Sequence, residues 1–325
     1  MAEDKPQLGH LEKVDLRGIW KNESGDFTPW LAKEENLKLL SDTIGIDLEL
    51  HAQEKAVGPY SADILCKDTA TGAWVLIENQ LERTDHTHLG QLITYSAGLD
   101  AVTIVWIAAA ITDEHRAALD WLNSITDDGF NFFGIEIELW KIGDSPIAPK
   151  FNIVSQPNDW SKTLKQSRNM GTGELSETKK MQFEYWTQFN QYMTNSKSKV
   201  KCQKPMPQHW MNHSIGRSGF HMSSIFSGYD SETNKYGGEI RVELAVIDAQ
   251  KYYGYIEAQK DEIEKELGFP LVWSTQEGTK SRKIYAKKNV NTSDIKDWIN
   301  QHKWLKDNLE AFYKVFAPRI KALPK

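Results

Sequence analysis

Two carboxylates that a short hairpin would bring face to face are the residues of this sequence best suited to chemistry. Asp63 lies within the apolar run Ala62–Cys66, and Glu78 directly follows the run Trp74–Ile77. A polar, glycine-containing segment separates the two runs, which predicts a hairpin. With the loop centred on the Ala70–Thr71 peptide, residue i lies opposite residue 141 − i. Asp63 then faces Glu78 on one side of the sheet.

Opposed carboxylates repel each other, and like charges across strands destabilise a sheet. A divalent cation between them reverses the sign of that interaction. Oxygen ligands of this kind suit Mg²⁺ or Mn²⁺, and the ion can polarise a phosphate and lower the pKa of an attacking water. The simpler alternative is a surface hairpin with two unremarkable acids. Glu78 argues against it, because a charge that ends an apolar run needs a partner.

The segments around the hairpin predict a compact α/β unit. In chain order, the patterns predict a helix from Thr28-Pro29 to Gly45, a strand over 46–52, the two hairpin strands, a helix over 87–99, a strand over 102–109, a helix over 113–124 and a strand over 134–140. The order from Pro29 to about Ala109 is therefore helix, three strands, helix and strand.

Asp63, a fourteen-residue gap and Glu78-x-Gln80 resemble the PD-(D/E)xK nuclease signature in its Glu-x-Gln variant. The predicted order αβββαβ is similar to the mixed-sheet core of that superfamily, the restriction-endonuclease-like fold. The resemblance covers roughly the first 145 residues. It implies a Mg²⁺-dependent nuclease, with Mn²⁺ as a substitute ion.

The resemblance implies a role for each matching position. Asp63 and Glu78 would ligate the metal, and the carbonyl of Asn79 could complete its shell. Gln80 occupies the catalytic position usually held by a lysine that orients the attacking water, although an amide supplies no positive charge. Glu35, on the first helix, matches an acidic position that some members use as a further metal ligand.

Alternatives stay open at two of these positions. Glu34 neighbours Glu35, and Glu54 at the end of the first predicted strand is a rival ligand. A lysine or arginine displaced from position 80 could supply the missing charge. The nearby candidates are Lys55, Lys67 and Arg83.

The helix after the hairpin carries further candidates. Gln91 and Tyr95 are four residues apart and share a helix face. The pair is similar to one in the RecB-like branch of the superfamily, where it supports the metal site and contacts DNA. His86 and His88 are predicted in a loop that precedes this helix and could contact phosphate or serve as an acid. Capping and loop hydrogen bonding is the alternative.

Charge is distributed unevenly between the two halves. Residues 1–150 carry 12 Lys and Arg against 26 Asp and Glu, a net charge of −14. Residues 151–325 carry 27 against 19, a net charge of +8, so the whole chain carries −6. A basic domain can hold a phosphate backbone, whereas two solvated surfaces without a partner are the alternative.

These features predict a nuclease-like domain over 1–145, a linker over 146–180 and a smaller α+β domain over 181–325. The second domain resembles an uncharacterised bacterial domain often joined to nucleases. Its elements are predicted as helices over 181–193, 249–267 and 294–316 and strands over 240–247 and 283–287. Its candidate nucleic-acid-binding residues are Lys201, Lys204, Arg217 and Lys283. The alternatives are solvated charge and, for Arg217, a tight turn.

Composition bounds the remaining possibilities. The chain has 325 residues, of which 40% are hydrophobic and 26% charged, as expected of a globular protein of about two domains. No apolar run approaches the roughly 20 residues that a bilayer requires. Only Cys66 and Cys202 are present, too few for a disulfide framework. We expect a cytoplasmic protein without a secretory signal or a membrane partner.

The sequence therefore predicts a metal-dependent nuclease, an endonuclease or an exonuclease, acting on nucleic acid, with DNA preferred, in bacterial defence against foreign DNA or in repair. One rival is a binding protein on a degenerate nuclease fold, with Gln80 marking lost chemistry. Another is a protein-interaction module. A homodimer is compatible with the sequence, which leaves the oligomeric state open.

Overall fold

The computed structural model describes residues 8–57, 60–99, 101–126, 130–157, 176–229, 236–273 and 280–324. Cα proximity divides the chain into two compact units. The first contains the described residues of 1–44, 50–67 and 73–162, and the second contains those of 45–49, 68–72 and 163–325. No helix of the described segments is long and apolar enough to cross a bilayer.

The first half of the chain folds around a mixed sheet. Its elements are β1 (Glu12–Val14), α1 (Leu16–Ile19), a π-helical turn (Glu23–Phe27), α2 (Thr28–Leu31), α3 (Glu34–Ile44), β2 (Leu48–Val57), β3 (Tyr60–Asp68), β4 (Trp74–Asn79), α4 (His86–Leu99), β5 (Ala101–Ala108), α5 (Asp113–Ile125), β6 (Asn131–Lys141) and β7 (Ala148–Ser155). The strand order is β1-β6-β5-β4-β3-β2, with β7 also on β6. Strands β4, β5 and β6 are parallel, while β3 is antiparallel to β4. The predicted αβββαβ order, from α3 to β5, is confirmed.

The β3–β4 hairpin has the predicted register. Ile64 lies opposite Ile77 and Cys66 lies opposite Val75, so each pair of residue numbers sums to 141. Apolar side chains on both strands are buried, which fixes the register because a one-residue slip would turn them to the other face. The same register sets Asp63 and Glu78 at the end of the hairpin.

One face of this sheet packs against α4 and α5. Trp106 on β5 is fully buried in the cluster, together with Leu92 and Tyr95 from α4 and Leu119 from α5. Residues 80–85 connect the end of β4 to the start of α4.

The helix predicted from Thr28 to Gly45 is divided in two. Helix α2 ends at Leu31, and α3 begins at Glu34. The Asn36 side chain donates a hydrogen bond to the carbonyl oxygen of Trp30 at 2.7 Å, and this local bond competes with the helical pattern. Gly45, with φ of 74°, ends α3 as predicted.

The linker predicted over 146–180 is wrong in its first part. Strand β7 lies within that range and pairs antiparallel with β6, with Pro149 opposite Leu139. Proline is tolerated in an edge strand because its missing N–H leaves no central ladder bond unmade. Residues 158–175, including Gly171-Thr172-Gly173, lie outside the described part of the chain.

The second half is an antiparallel sheet with helices, as predicted for an α+β domain. Its elements are α6 (Glu177–Asn195), β8 (Trp210–His213), β9 (Phe220–Tyr229), β10 (Tyr236–Val246), α7 (Ala249–Glu257), α8 (Lys260–Leu267), β11 (Val272–Trp273), β12 (Arg282–Asn289), a 3₁₀ turn (Ile295–Asp297) and α9 (Trp298–Ala322). The strand order is β11-β12-β10-β9-β8. The helix predicted over 249–267 breaks at Ala258 and Gln259 into α7 and α8, and β8 and β9 were not predicted.

Arg217, a predicted nucleic-acid contact, instead caps the C-terminus of α9. Its Nη1 donates to the carbonyl oxygens of Ile320 and Leu323 at 2.8 and 2.9 Å, and its Nη2 donates to that of Pro324 at 2.7 Å. The guanidinium also lies 5.2 Å from the ring centroid of Tyr252. A cation at a helix C-terminus satisfies the last carbonyls and complements the helix dipole. This correction assigns Arg217 to stability.

Replacing Arg217 with glutamine should therefore destabilise the protein. Arg217→Gln is expected to lower the free energy of unfolding by about 2 kcal/mol, because a charge-assisted cap is lost. Urea denaturation measures the change, and Lys314→Gln, on an exposed position of α9, is the matched control. Unchanged stability together with weakened DNA binding would return Arg217 to the role predicted from the sequence.

Candidate active site

The hairpin brings Asp63 and Glu78 into direct contact. The backbone N–H of Asp63 donates to Glu78 Oε1 at 3.3 Å. The backbone N–H of Asn79 donates in turn to Asp63 Oδ2 at 2.9 Å. Each carboxylate is thus held by the backbone of the opposite strand, as the register requires.

Burial makes charge on this pair costly. The Glu78 residue is only 3% exposed. The pKa of Glu78 is raised to about 9, chiefly by burial and in addition by the neighbouring Asp63 carboxylate. Burial likewise raises the pKa of Asp63 to about 6, against the hydrogen bond from Asn79, which lowers it. Without a cation, the pair therefore retains a proton at neutral pH.

Glu54 is the third acid of this site. Its charge raises the pKa of both Asp63 and Glu78, and Ser61 Oγ donates to its Oε2 at 3.2 Å. Its backbone adopts φ of 48°, the left-handed region that side chains with a Cβ rarely adopt. Such strain is concentrated at functional sites.

The side chain of Glu35, the predicted further ligand, is exposed on α3, and no described hydrogen bond or ion pair joins it to Asp63 or Glu78. Its metal-ligating role stays a prediction. The rival at Glu54 is the acid that the structure brings to the pair. The period-2 pattern of the strand placed Glu54 near its end but could not reveal the left-handed turn of its backbone.

His88 lies in the first turn of α4 and is held by Asp85. Its backbone N–H donates to Asp85 Oδ1 at 2.9 Å, and its Nδ1 lies 2.9 Å from Asp85 Oδ2. A carboxylate at Nδ1 fixes the hydrogen there, so that Nε2 carries the lone pair of the neutral ring. The charged form of His88 lowers the pKa of Asp63, which sets the imidazole within electrostatic reach of that carboxylate.

Gln80 is not free to take the place of a catalytic lysine. Its Oε1 accepts a 2.9 Å hydrogen bond from Trp106 Nε1, and its Nε2 donates to the carbonyl oxygen of Arg83 at 2.9 Å. Its backbone N–H donates to Ile107. The residue is 2% exposed. The buried amide links the end of β4 to β5. This structural role differs from the catalytic role predicted for Gln80.

The remaining predicted site residues are Asn79, Tyr95 and Gln91. The Asn79 side chain accepts a 3.2 Å hydrogen bond from Thr28 Oγ1 on the opposite side of the sheet. Tyr95 is buried in the core with Trp106, and its role in supporting the site stays a prediction. Gln91 is half-buried on α4. The metal-ligating role of the Asn79 carbonyl and the role of Gln91 stay predictions.

A magnesium ion fits the two carboxylates better than a metal that needs several protein ligands. Within the described segments, no group of three or more His, Cys, Asp or Glu side chains is arranged to hold a metal. Mg²⁺ is commonly held by one or two carboxylates and keeps several waters. The carboxylates of Asp63 and Glu78, whose charge is opposed by desolvation, are a donor set of that kind.

Two of the predicted nucleic-acid lysines pair with acids. Lys283 Nζ lies 2.7 Å from Glu243 Oε1. The Glu243 residue is buried. Lys201 Nζ lies 3.3 Å from Asp47 Oδ1, in a segment that groups with the second unit. Lys204 is half-buried. These acids neutralise part of the positive charge. The number of lysines in the basic segments is therefore larger than the net positive charge that they present to a phosphate backbone.

Sequence reasoning missed a hydrogen-bonded histidine pair beside the site. His115 Nε2 lies 3.0 Å from His86 Nδ1, and His115 Nδ1 lies 2.8 Å from Thr84 Oγ1. Burial lowers the pKa of His115, and the nearby His86 adds to this effect. The two histidines are 29 positions apart in the sequence, so no local spacing could indicate the pair.

Comparisons with known proteins cover only parts of the chain. A family described as a domain of unknown function (DUF4268) matches residues 181–320. No curated protein matches. A repair endonuclease from Pyrococcus abyssi is 19% identical over 32% of this chain and 46% of its own, with a TM-score of 0.26. EndoMS in a complex with double-stranded DNA is 21% identical over 42% and 49%, with a TM-score of 0.28. The chain spans about half the length of these two proteins.

Removing the charge of Glu78 should stabilise the metal-free protein increasingly as the pH rises. A carboxyl whose folded pKa is raised contributes stability that is complete below its ordinary value of 4.5 and is lost as the pH rises toward about 9. Glu78→Gln has no ionisable carboxyl at this position, so its stability does not fall with pH for this reason. In EDTA, urea unfolding should show it more stable than the wild type by a few kcal/mol at pH 8 (on the order of 1.4 kcal/mol per pH unit) and nearly equal at pH 4.5.

Mg²⁺ should raise the melting temperature of the wild type and leave that of Glu78→Gln unchanged, because binding to the folded state stabilises it. Glu35→Gln, at an exposed position, serves as the control and should respond to Mg²⁺ like the wild type.

For the pH series in EDTA, a stability difference between Glu78→Gln and the wild type that shrinks with rising pH would contradict a raised pKa of Glu78.

Proposed function

We propose that this protein hydrolyses phosphodiester bonds of nucleic acid, with DNA preferred, in a reaction that depends on Mg²⁺ and accepts Mn²⁺. One observation carries the proposal: the half-buried Asp63 and the buried Glu78 are in contact at the end of the β3–β4 hairpin, and desolvation opposes their charge. A pair of acids whose ionisation is opposed in this way is suited to a cation that neutralises it, and so to a phosphate beside that cation.

Each residue of the proposed site has a distinct role. Asp63 and Glu78 hold the ion, which when bound neutralises phosphate charge and acidifies a nearby water. The Asn79 N–H fixes the orientation of Asp63. Glu54 adds negative charge and would strengthen the hold on a cation. Gln80 and Trp106 keep the end of β4 in place beneath the carboxylates.

The second half of the chain is proposed to grip or select the nucleic acid. Residues 151–325 carry a net charge of +8, which attracts a phosphate backbone. Lys204 remains a proposed contact, while Lys201 and Lys283 would need to act from their ion pairs. Action in defence against foreign DNA or in repair completes the proposal.

A second candidate function is nucleic-acid binding without cleavage. It is favoured by Gln80, whose amide is fully engaged by Trp106 and Arg83 and supplies no charge. On that account the fold has kept its acids and lost its chemistry. Binding would then show a steep dependence on salt and no turnover.

Cleavage assays separate the two functions. Plasmid, linear duplex, single-stranded DNA and RNA are incubated with EDTA, Mg²⁺ or Mn²⁺. We expect metal-dependent cutting that Asp63→Ala and Glu78→Ala each reduce by at least about 100-fold, the scale of losing one charge-stabilising group. Glu35→Ala should cut like the wild type, since its side chain is exposed and has no described bond to the pair.

Cutting that survives both carboxylate substitutions would overturn the site assignment. Binding with no cutting in either metal would establish the non-catalytic function instead. EDTA-resistant cutting would contradict the requirement for a metal.

A further inference from the structure

We infer that one face of the second sheet binds single-stranded DNA. The inference rests on the proposed function for its choice of DNA, and it assigns the proposed grip on nucleic acid to a defined surface. We call this surface the polar face: the side of the sheet that carries Trp210 on β8, Arg241 and Glu243 on β10, and Lys283, Tyr285 and Lys287 on β12.

The strand register places these side chains together. Along β10, the residues at even positions from 240 to 246 are buried in the core with residues of α6 to α9, so the residues at odd positions point to the opposite side of the sheet. Residues paired across neighbouring strands share a side. One such row crosses four strands and contains Trp210, Ile225, Arg241 and Lys287. Beside it on the same side, Glu243 pairs with Tyr285 and Ala245 pairs with Lys283.

Buried acids hold the cations of the polar face in position. Lys283 Nζ lies 2.7 Å from Glu243 Oε1, and Arg241 Nε lies 3.3 Å from Glu243 Oε2. Glu239, also at an odd position of β10, is approached by two cations as well. Arg241 Nη1 lies 3.7 Å from its Oε1, and Lys287 Nζ lies 3.8 Å from its Oε2. Three cations therefore alternate with two acids across this face.

Charge on the polar face is sorted by depth. The side chains of Glu239 and Glu243 are only 1% and 3% exposed, whereas that of Lys283 is 49% exposed. Those of Arg241 and Lys287 are each 15% exposed. A ligand that approaches this face therefore meets the cations first, while the carboxylates lie beneath them. This arrangement attracts an anion although the charges of the row nearly cancel.

The same network is poorly suited to a purely stabilising role. Arg241 Nε and Glu243 Oε2 are buried, and neither atom has a hydrogen-bond partner among the described residues. Buried polar atoms without hydrogen bonds cost free energy, and a buried ion pair is weak evidence for stability. What the network does achieve is to fix three cations on one surface.

Aromatic rings beside these cations favour a single strand over a duplex. The guanidinium carbon of Arg241 lies 4.8 Å from the ring centroid of Tyr285. Trp210, in the same row as Arg241, is 36% exposed. The bases of a single strand can stack on an exposed ring or a guanidinium plane, whereas a duplex keeps its bases stacked on each other. Rings for the bases and cations for the phosphates thus lie on one face.

Binding measured in EDTA tests the inference without any cleavage. The full chain is titrated against a fluorescent single strand of about 20 nucleotides and against the matching duplex, at several salt concentrations. We expect the single strand to bind at least about five-fold more tightly, because only its bases can stack on the face. Lys283→Gln should weaken single-strand binding and lower the slope of log K against log salt by about 0.7, the value of one phosphate contact.

Lys288→Gln is the matched control for charge. Lys288 is the neighbour of Lys287 on β12, is exposed, and pairs with Ile240 on the opposite side of the sheet. This variant removes the same charge as Lys283→Gln but should keep the affinity within about two-fold of the wild type and leave the salt slope unchanged. Equal losses in the two variants would overturn the inference, since only the total charge would then matter.

Trp210→Leu tests stacking by a change that removes no charge. It should weaken single-strand binding at least about five-fold without altering the salt slope, because base stacking is lost and no phosphate contact is. Trp121→Leu, at an exposed tryptophan of α5, is its control and should bind like the wild type. Unchanged affinity in Trp210→Leu would contradict a stacking surface on this face.

The remaining outcomes separate this inference from the proposed hydrolysis. Tighter binding of the duplex, or no binding of DNA by the wild type, would overturn the inference. Tighter binding of a single strand of RNA of the same sequence would overturn the choice of DNA. Single-strand binding through this face without cutting in Mg²⁺ or Mn²⁺ would contradict the hydrolysis and leave the inference standing. Metal-dependent cutting with full affinity in Lys283→Gln and Trp210→Leu would do the reverse.

Discussion

A buried carboxyl, Glu78, and a half-buried one, Asp63, lie within hydrogen-bonding distance of each other at a cost in folding free energy, and the first half of this structure is arranged so that they stay there. Desolvation raises the pKa of both acids, and Asp63 raises that of Glu78 further. A surface hairpin would relieve this by turning the acids to water. Here the register forbids it, because slipping the strands would expose the buried apolar residues of β3 and β4.

The surrounding elements reinforce that constraint. Strand β4 is central, with β3 on one side and β5 on the other, so the end that carries Glu78 has no freedom to peel away. The Gln80 amide links that end to Trp106, and the Asn79 side chain links it to Thr28. The same residues that resemble a catalytic motif thus serve as a frame for the two acids. Of the three residues that resemble the motif, Asp63 and Glu78 are proposed to carry the chemistry, whereas Gln80 holds the end of β4 in place.

Much of this could be predicted from sequence, and the exceptions have physical causes. The position of the hairpin loop fixed the pairing of Asp63 with Glu78, because antiparallel register follows from the turn alone. Strand β7 was missed because Pro149 is read as a breaker, although an edge strand tolerates it. Glu35 was preferred over Glu54 because the left-handed backbone at Glu54 leaves no mark in a hydrophobic pattern. Ion pairs and caps between distant residues, such as Arg217 with the end of α9, depend on tertiary structure that no local pattern contains.

The central claim is that the Asp63–Glu78 pair is a site for a divalent cation. Anomalous diffraction from crystals soaked in Mn²⁺ tests it most directly, since the ion is located without reference to activity. The account predicts one manganese peak within about 2.2 Å of a carboxylate oxygen of each residue, lost in crystals of Glu78→Gln. A fully occupied manganese site elsewhere in the chain, with no peak at this pair, would contradict it.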